Sequence, residues 1–293
     1  MLSNRTKGVL AITTSAFGFA LMALFVRLCD DYGEQVSSFQ KSFFRNFVAL
    51  MIAAVVFVRG MAASPGATVA SLRGMKCRNW LVLLLRAVVG TVGIFANFYA
   101  LSHITIAEGQ TLNKTAPFFT VLFAWMFLGE KAGVKQVISL VIAFIGVLLI
   151  AKPGFAGEAA FPLAIGLIGG MGAGAAYACV RYLRQHAVPS TFIVLFFSAF
   201  SCLASIPFML AGFDPMTWRQ VLILIGAGGG AAIGQFGVTM AYGFAAPKEI
   251  AVYDYSNILF TAALGFIFFS QIPDILSLVG FAAIIYAAFR MFR

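Results

Sequence analysis

The chain has 293 residues, of which 61% are hydrophobic and 10% charged, with a formal net charge of +10. Soluble domains carry about 25% charged residues, so this composition cannot cover a water-exposed surface and puts the chain in the membrane class. The positive charge does not point to nucleic acid: no soluble basic module is available to bind it, and basic residues of membrane proteins collect in cytoplasmic loops.

From the N-terminus, apolar segments predict helices over about 8–28, 37–59, 79–101, 106–128, 134–151, 161–183, 190–211, 217–243, 249–271 and 274–291. The first follows Arg5 and Lys7; it is longer than a signal-peptide core, lacks an Ala-x-Ala cleavage site and reads as a retained helix. Turn chemistry separates the segments at Asp30-Asp31-Tyr32-Gly33, Ser64-Pro65-Gly66, Gly129-Glu130-Lys131, Lys152-Pro153-Gly154, Gly212-Phe213-Asp214-Pro215 and Ile272-Pro273-Asp274. With a cytoplasmic N-terminus, the cytoplasmic side holds Arg5, Lys7, Arg59, Arg73, Lys76, Arg78, Lys131, Lys135, Arg181, Arg184, Lys248, Arg290 and Arg293. The outer side holds only Arg27, Lys152 and Arg219. That bias predicts ten transmembrane helices with both termini in the cytoplasm.

Ten spans divide as five plus five, and an odd number per half inverts the second half. A trace of duplication remains. Glu108-Gly109-Gln110-Thr111-Leu112-Asn113-Lys114 aligns with Glu249-Ile250-Ala251-Val252-Tyr253-Asp254-Tyr255, and the same offset puts Gly129-Glu130 on Ser270-Gln271. The fourth and ninth segments are therefore expected to be repeat mates. Inverted repeats favour alternating access around a site near the bilayer midplane.

Phe98-Tyr99-Ala100-Leu101, Leu112-Asn113-Lys114-Thr115-Ala116-Pro117-Phe118-Phe119 and Leu128-Gly129-Glu130-Lys131 resemble the fourth-helix region of EamA-type carriers of the drug/metabolite transporter superfamily. Leu84-Leu85-Arg86-Ala87 and Phe44-Arg45 fit the same pattern. The resemblance spans the chain as two EamA-like halves, about 8–151 and 161–291. It implies ten helices, secondary transport and a central cavity lined mainly by the first four helices of each half. Gln271 stands where the family usually has a glutamate.

Ionisable residues inside a span are costly and mark cavities or partners. Lys114 sits about eight residues into the fourth segment, with Pro117 expected to kink the helix one turn later. It reads as a cationic contact for an anionic substrate group, or as half of an ion pair with Asp254 or Glu108. Asp254 could partner Lys114, bind a substrate amine or take up a coupling proton. Tyr253 and Asn257 are expected to share a helical face with Asp254 beside them, and Tyr255 lies in the same stretch. Asn97, Tyr99 and Gln235 are candidates to line the cavity, with interhelical hydrogen bonding as the alternative. Arg86 and Arg45 are expected about two turns from the cytoplasmic ends of their helices, snorkelling outward as gate or structural residues. Glycines recurring every four residues, Gly166-Gly170-Gly174 and Gly226-Gly230-Gly234, predict close helix crossings rather than a phosphate loop.

Cys29, Cys77, Cys179 and Cys202 form no Cys-x-x-Cys pair, and neither His103 nor His186 lies at metal spacing. No disulfide, metal or cofactor is expected. Without His-Glu-x-x-His or another nucleophile–base constellation, an enzyme is not expected either, and no channel filter is recognisable. The expected function is a multi-pass secondary carrier of the bacterial plasma (inner) membrane. Its partners are a small-molecule substrate, with an amino acid or carboxylate-bearing metabolite favoured, membrane lipid, and a proton as a candidate coupling ion; a monomer suffices. The alternative is a flippase for a lipid or lipid-linked metabolite.

Overall fold

The computed structural model describes residues 2–34, 36–63, 72–101, 103, 111–151, 160–270 and 272–292; Glu108, Lys152 and Gln271 lie outside them. The described residues form helices and no strand. In chain order these are α1 (Asn4–Asp30), α2 (Ser38–Ala63), α3 (Cys77–Leu101), α4 (Ala116–Leu128), α5 (Val134–Ala151), α6 (Ala160–Gln185), α7 (Ser190–Ala211) and α8 (Trp218–Phe244). The one-turn α9 (Pro247–Ile250) runs through a 3-10 stretch (Ala251–Tyr255) into α10 (Ser256–Phe269), and α11 (Ile275–Phe292) ends the chain.

Eight of these stretches are long and apolar enough to cross a bilayer: α1, α2, α3, α5, α6, α7, α8 and Pro247–Phe269. α4 has 13 residues and falls short, as does α11. Large apolar side chains face outward, with Phe127 71% exposed and Leu203 and Ile267 each 68% exposed. Such a belt is tolerable only against acyl chains. The protein is a multi-pass membrane protein.

The main packing pairs are α1 on α8, α3 on α6, α2 on α7 and α5 on α11. The chain termini share one end of the bundle, where the Arg5 guanidinium donates to the Met291 carbonyl. Glycines permit the closest crossings. A β-carbon added at Gly18 would stand 2.6 Å from the Gly234 nitrogen, and one at Gly146 would stand 2.6 Å from the Gly280 carbonyl oxygen. Of the two glycine stripes, Gly226, Gly230 and Gly234 face α1, as expected for a crossing. Gly166, Gly170 and Gly174 also make the expected crossing, against the segment from Leu112 into α4, where a β-carbon at Gly174 would stand 2.9 Å from the Ala116 carbonyl oxygen. The α3–α6 crossing uses Gly93 against Gly169 and Gly172, which lie outside the stripe.

Two segments are not continuous α-helices. The backbone turns at Lys114 and Thr115 before α4 restarts at Ala116, with Pro117 in its first turn. Proline is tolerated there because a first-turn N–H has no intrahelical acceptor. The kink expected at Pro117 is therefore a break centred on Lys114. The ninth segment tightens to 3-10 geometry across Ala251–Tyr255, changing the phase of the side chains there. Both segments end on a left-handed residue, Gly129 (φ 69°) and Ser270 (φ 52°).

Hydrogen bonds lace both ends. At the end bearing the termini, Arg181 Nε donates to Glu130 Oε1 at 2.8 Å and Arg181 Nη1 to the Tyr242 carbonyl at 3.0 Å. Gln185 reaches the same Glu130 oxygen at 2.7 Å, and Lys248 reaches the Lys131 carbonyl at 3.0 Å. At the far end, Lys41 pairs with Asp30 at 2.6 Å, and Asp214 accepts from the Ser37 amide at 2.7 Å. Gln220 there donates to the Glu34 carbonyl at 2.8 Å.

Candidate functional site

The two helix breaks meet. Lys114 Nζ donates to Asn257 Oδ1 at 2.6 Å, and the Tyr255 hydroxyl donates to the Lys114 carbonyl at 3.1 Å. Asn257 is held in turn by its amide, which donates to the Ala16 carbonyl of α1 at 2.9 Å. Breaking the helix before Ala116 frees the Lys114 carbonyl for Tyr255, and the 3-10 turn aims Tyr255 at it. An amide acceptor buried between helices needs such a donor.

Asp254 lies within electrostatic range of Lys114, Tyr177, Tyr242 and Tyr255. The ion pair that the sequence offered for Lys114 and Asp254 is not formed: the ammonium bonds the neutral Asn257 instead. Glu108, the other offered partner, lies outside the described residues. Tyr253 and Asn257 do not share a face either. The 3-10 turn sends the Tyr253 hydroxyl toward Arg5, whereas Asn257 points to α1 and Lys114.

A second polar group adjoins the first. Arg86 is only 2% exposed; its Nη2 donates to Gln235 Oε1 at 3.1 Å, and its Cζ lies 3.6 Å from the centre of the Phe197 ring. Gly90 makes the room, because a β-carbon there would stand 2.6 Å from Arg86 Nη1. Tyr177 bridges the groups: it lies within electrostatic range of Arg86, Arg45 and Asp254, and its ring is 5.7 Å from that of Tyr242.

These contacts correct the arginine expectations. Arg86 does not snorkel; it is buried beneath an aromatic ring and an amide. Arg45 does not lie near the end of its helix that adjoins the chain termini. α2 starts at the far end, and Arg45 sits about 10 Å below that start at 1.5 Å per residue. The two arginines therefore approach the middle from opposite ends.

Asn97 and Tyr99 separate at the end of α3. Asn97 Oδ1 is buried and makes no hydrogen bond among the described residues. Tyr99 is 39% exposed and stacks on His103 with ring centres 4.2 Å apart, outside the polar centre. His103 and His186 are both exposed, and each bonds the carbonyl four residues earlier. Tyr177 and Tyr242 belong to the centre but were not singled out by sequence reasoning. The available signal was a tyrosine hydroxyl inside an apolar span, which requires a partner.

Thr115, Phe118, Phe119, Val141, Phe144, Ile145 and Leu167 line an open, apolar groove of about 300 Å³ on the outside of the bundle.

A family model described as the EamA-like transporter family matches residues 6–152. The chain belongs to the EamA-like transporter family. Among its relatives, the pseudopaline exporter CntI of Pseudomonas aeruginosa is 29% identical over 290 residues, covering 98% of this chain and 96% of the relative. A riboflavin transporter of Vibrio cholerae is 29% identical over 196 residues, covering 65% of this chain and 64% of its own. One crystal structure shares the fold at a TM-score of 0.74 with 17% identity, covering 94% of this chain and 95% of that chain. Membership makes this EamA-like protein a membrane transporter rather than an enzyme.

Proposed function

We propose that this protein is a secondary active carrier that moves a small polar or amphipathic metabolite across the bacterial plasma membrane by alternating access. An amino acid or another carboxylate-bearing compound is the favoured substrate class. The observation that carries the reading is the meeting of two interrupted helices at Lys114, Asn257 and Tyr255. Discontinuous membrane helices expose backbone and polar groups where a substrate or coupling ion binds. Asp254 is the candidate proton carrier, and the small-molecule exporter and transporter among the relatives support a solute as substrate.

The mechanism needs two inverted five-helix repeats, 8–151 and 161–291, with ten spans and cytoplasmic termini. Three features support that division. Shifting the main packing pairs by one repeat exchanges α1–α8 with α6–α3 and leaves α2–α7 and α5–α11 unchanged. The breaks at Lys114 and at Ala251–Tyr255 fall at matched positions, and the left-handed caps Gly129 and Ser270 coincide under the same offset. The positive-inside bias supports the orientation, and two fused halves make a monomer sufficient.

A flippase for a lipid or lipid-linked metabolite is the second reading. The open apolar groove that starts at Thr115 favours it, because a lipid tail must stay in contact with the bilayer while its head crosses.

The deciding experiment first screens amino acids, nucleobases, organic acids and vitamins by melting temperature. It then measures transport of the stabilising compound in proteoliposomes by the wild type and by Lys114→Ala. The variant is expected to insert normally and lose transport. Wild-type kinetics in the variant would remove Lys114 from the site, and transport of a fluorescent lipid but no solute would replace the carrier with a flippase.

A further inference from the structure

Among the described residues, the polar centre carries more positive than negative charge. Arg86 is almost fully buried, yet its bonded partners are the neutral Gln235 amide and the Phe197 ring. Its Nε has no hydrogen-bond partner among the described residues, and neither has the buried Nε of Arg45. Lys114 is likewise held by a neutral amide oxygen. Three cations thus face one described carboxylate, Asp254. At the bundle ends, Asp30 binds Lys41, Glu130 binds Arg181, and Asp214 accepts from the Ser37 amide.

A buried cation without a counter-ion is costly, and more so within a bilayer. A carrier can hold such an excess if the balancing charge arrives with its substrate. A guanidinium matches the planar fork of a carboxylate, and one bound to neutral groups keeps donors for it. The cations are also spread out: Arg45 stands on α2, Arg86 on α3, and Lys114 in the turn before α4. Charges spread over three segments suit an extended ligand with separated anionic groups better than one compact phosphate.

We propose that Arg86 and Arg45 form a carboxylate subsite distinct from the Lys114–Asn257 contact, so that the substrate is a polycarboxylate with at least two carboxylate groups. This rests on the carrier reading for its role in transport, but the excess of charge can be measured without transport.

The test uses Gln235→Glu. The Gln235 side-chain oxygen already lies 3.1 Å from Arg86 Nη2, so the change supplies a carboxylate there with little change in volume. In ligand-free protein the melting temperature is expected to rise by about 2–4 °C, the shift of a single good interaction in a chain of this size. An unchanged or lower value overturns the proposal, because it means the cluster is already neutralised within the chain; Glu108→Gln would then destabilise the protein and identify the counter-ion. Wild-type protein is melted in parallel with citrate, glutarate, glutaramide and inorganic phosphate. Citrate or glutarate is expected to raise the midpoint, glutaramide and phosphate to leave it unchanged, and Gln235→Glu to abolish the rise. Equal stabilisation by phosphate, or none by either polycarboxylate, overturns the assignment. A rise in ligand-free Gln235→Glu beside undiminished transport by Lys114→Ala would preserve the charge excess while removing Lys114 from the carrier site.

Discussion

Gly229 and Gly230 are neighbours on α8 that face different surroundings. A β-carbon at Gly230 would stand 2.8 Å from the Met22 nitrogen and 2.9 Å from the Gly18 carbonyl oxygen, whereas one at Gly229 meets nothing within 4 Å. Met22 and Gly18 present backbone atoms that cannot rotate away. Gly230→Ala must therefore push α1 off α8 by roughly half an ångström, and overpacking of this kind costs about 1–3 kcal/mol. Gly229→Ala meets no such obstacle and gains up to about 1 kcal/mol from helix propensity. The two variants should differ by on the order of 2–4 kcal/mol, with opposite signs relative to wild type. At roughly 2–4 °C per kcal/mol for a chain of this size, the melting midpoints should separate by on the order of 4–16 °C. Tryptophan fluorescence of the purified protein during heating measures the gap. Equal shifts, or a larger loss for Gly229→Ala, would refute the placement of the α1–α8 crossing.

Glu130→Gln weakens the bonds from Arg181 and Gln185 that tie α6 to the turn after α4. In a background with the other cysteines replaced, it should raise maleimide labelling of Cys179 several-fold; an unchanged rate would exclude Glu130 from closing that end. Cys77 is exposed at the start of α3, so an impermeant maleimide should modify it in inside-out vesicles and spare it in intact cells. Labelling from outside would invert the topology. Asp254→Asn should retain solute exchange in proteoliposomes but lose accumulation driven by a proton gradient, and undiminished accumulation would remove Asp254 from coupling.

The amino-acid order alone determined the membrane class, the segment positions and the family. Hydropathy is summed along the chain, so Gly8 to Val26 reads as a membrane helix whatever surrounds it. The same order brought Lys114, Asp254, Tyr255 and Asn257 forward, because charges and amides stand out in apolar runs. It also aligns the segment of Lys114 with that of Tyr255. Only the tertiary structure decided partners and directions. Lys114 bonds Asn257 rather than Asp254, since the choice depends on how α1 and the 3-10 turn present Asn257. Arg86 had stem enough to snorkel, but Phe197 and Gln235 from α7 and α8 hold it inside. Tyr99 faces outward and Tyr177 inward, although both are tyrosines in apolar helices. Composition along one strand of chain reports how deep a residue lies; which way it points, and what it meets there, is set by helices distant in sequence.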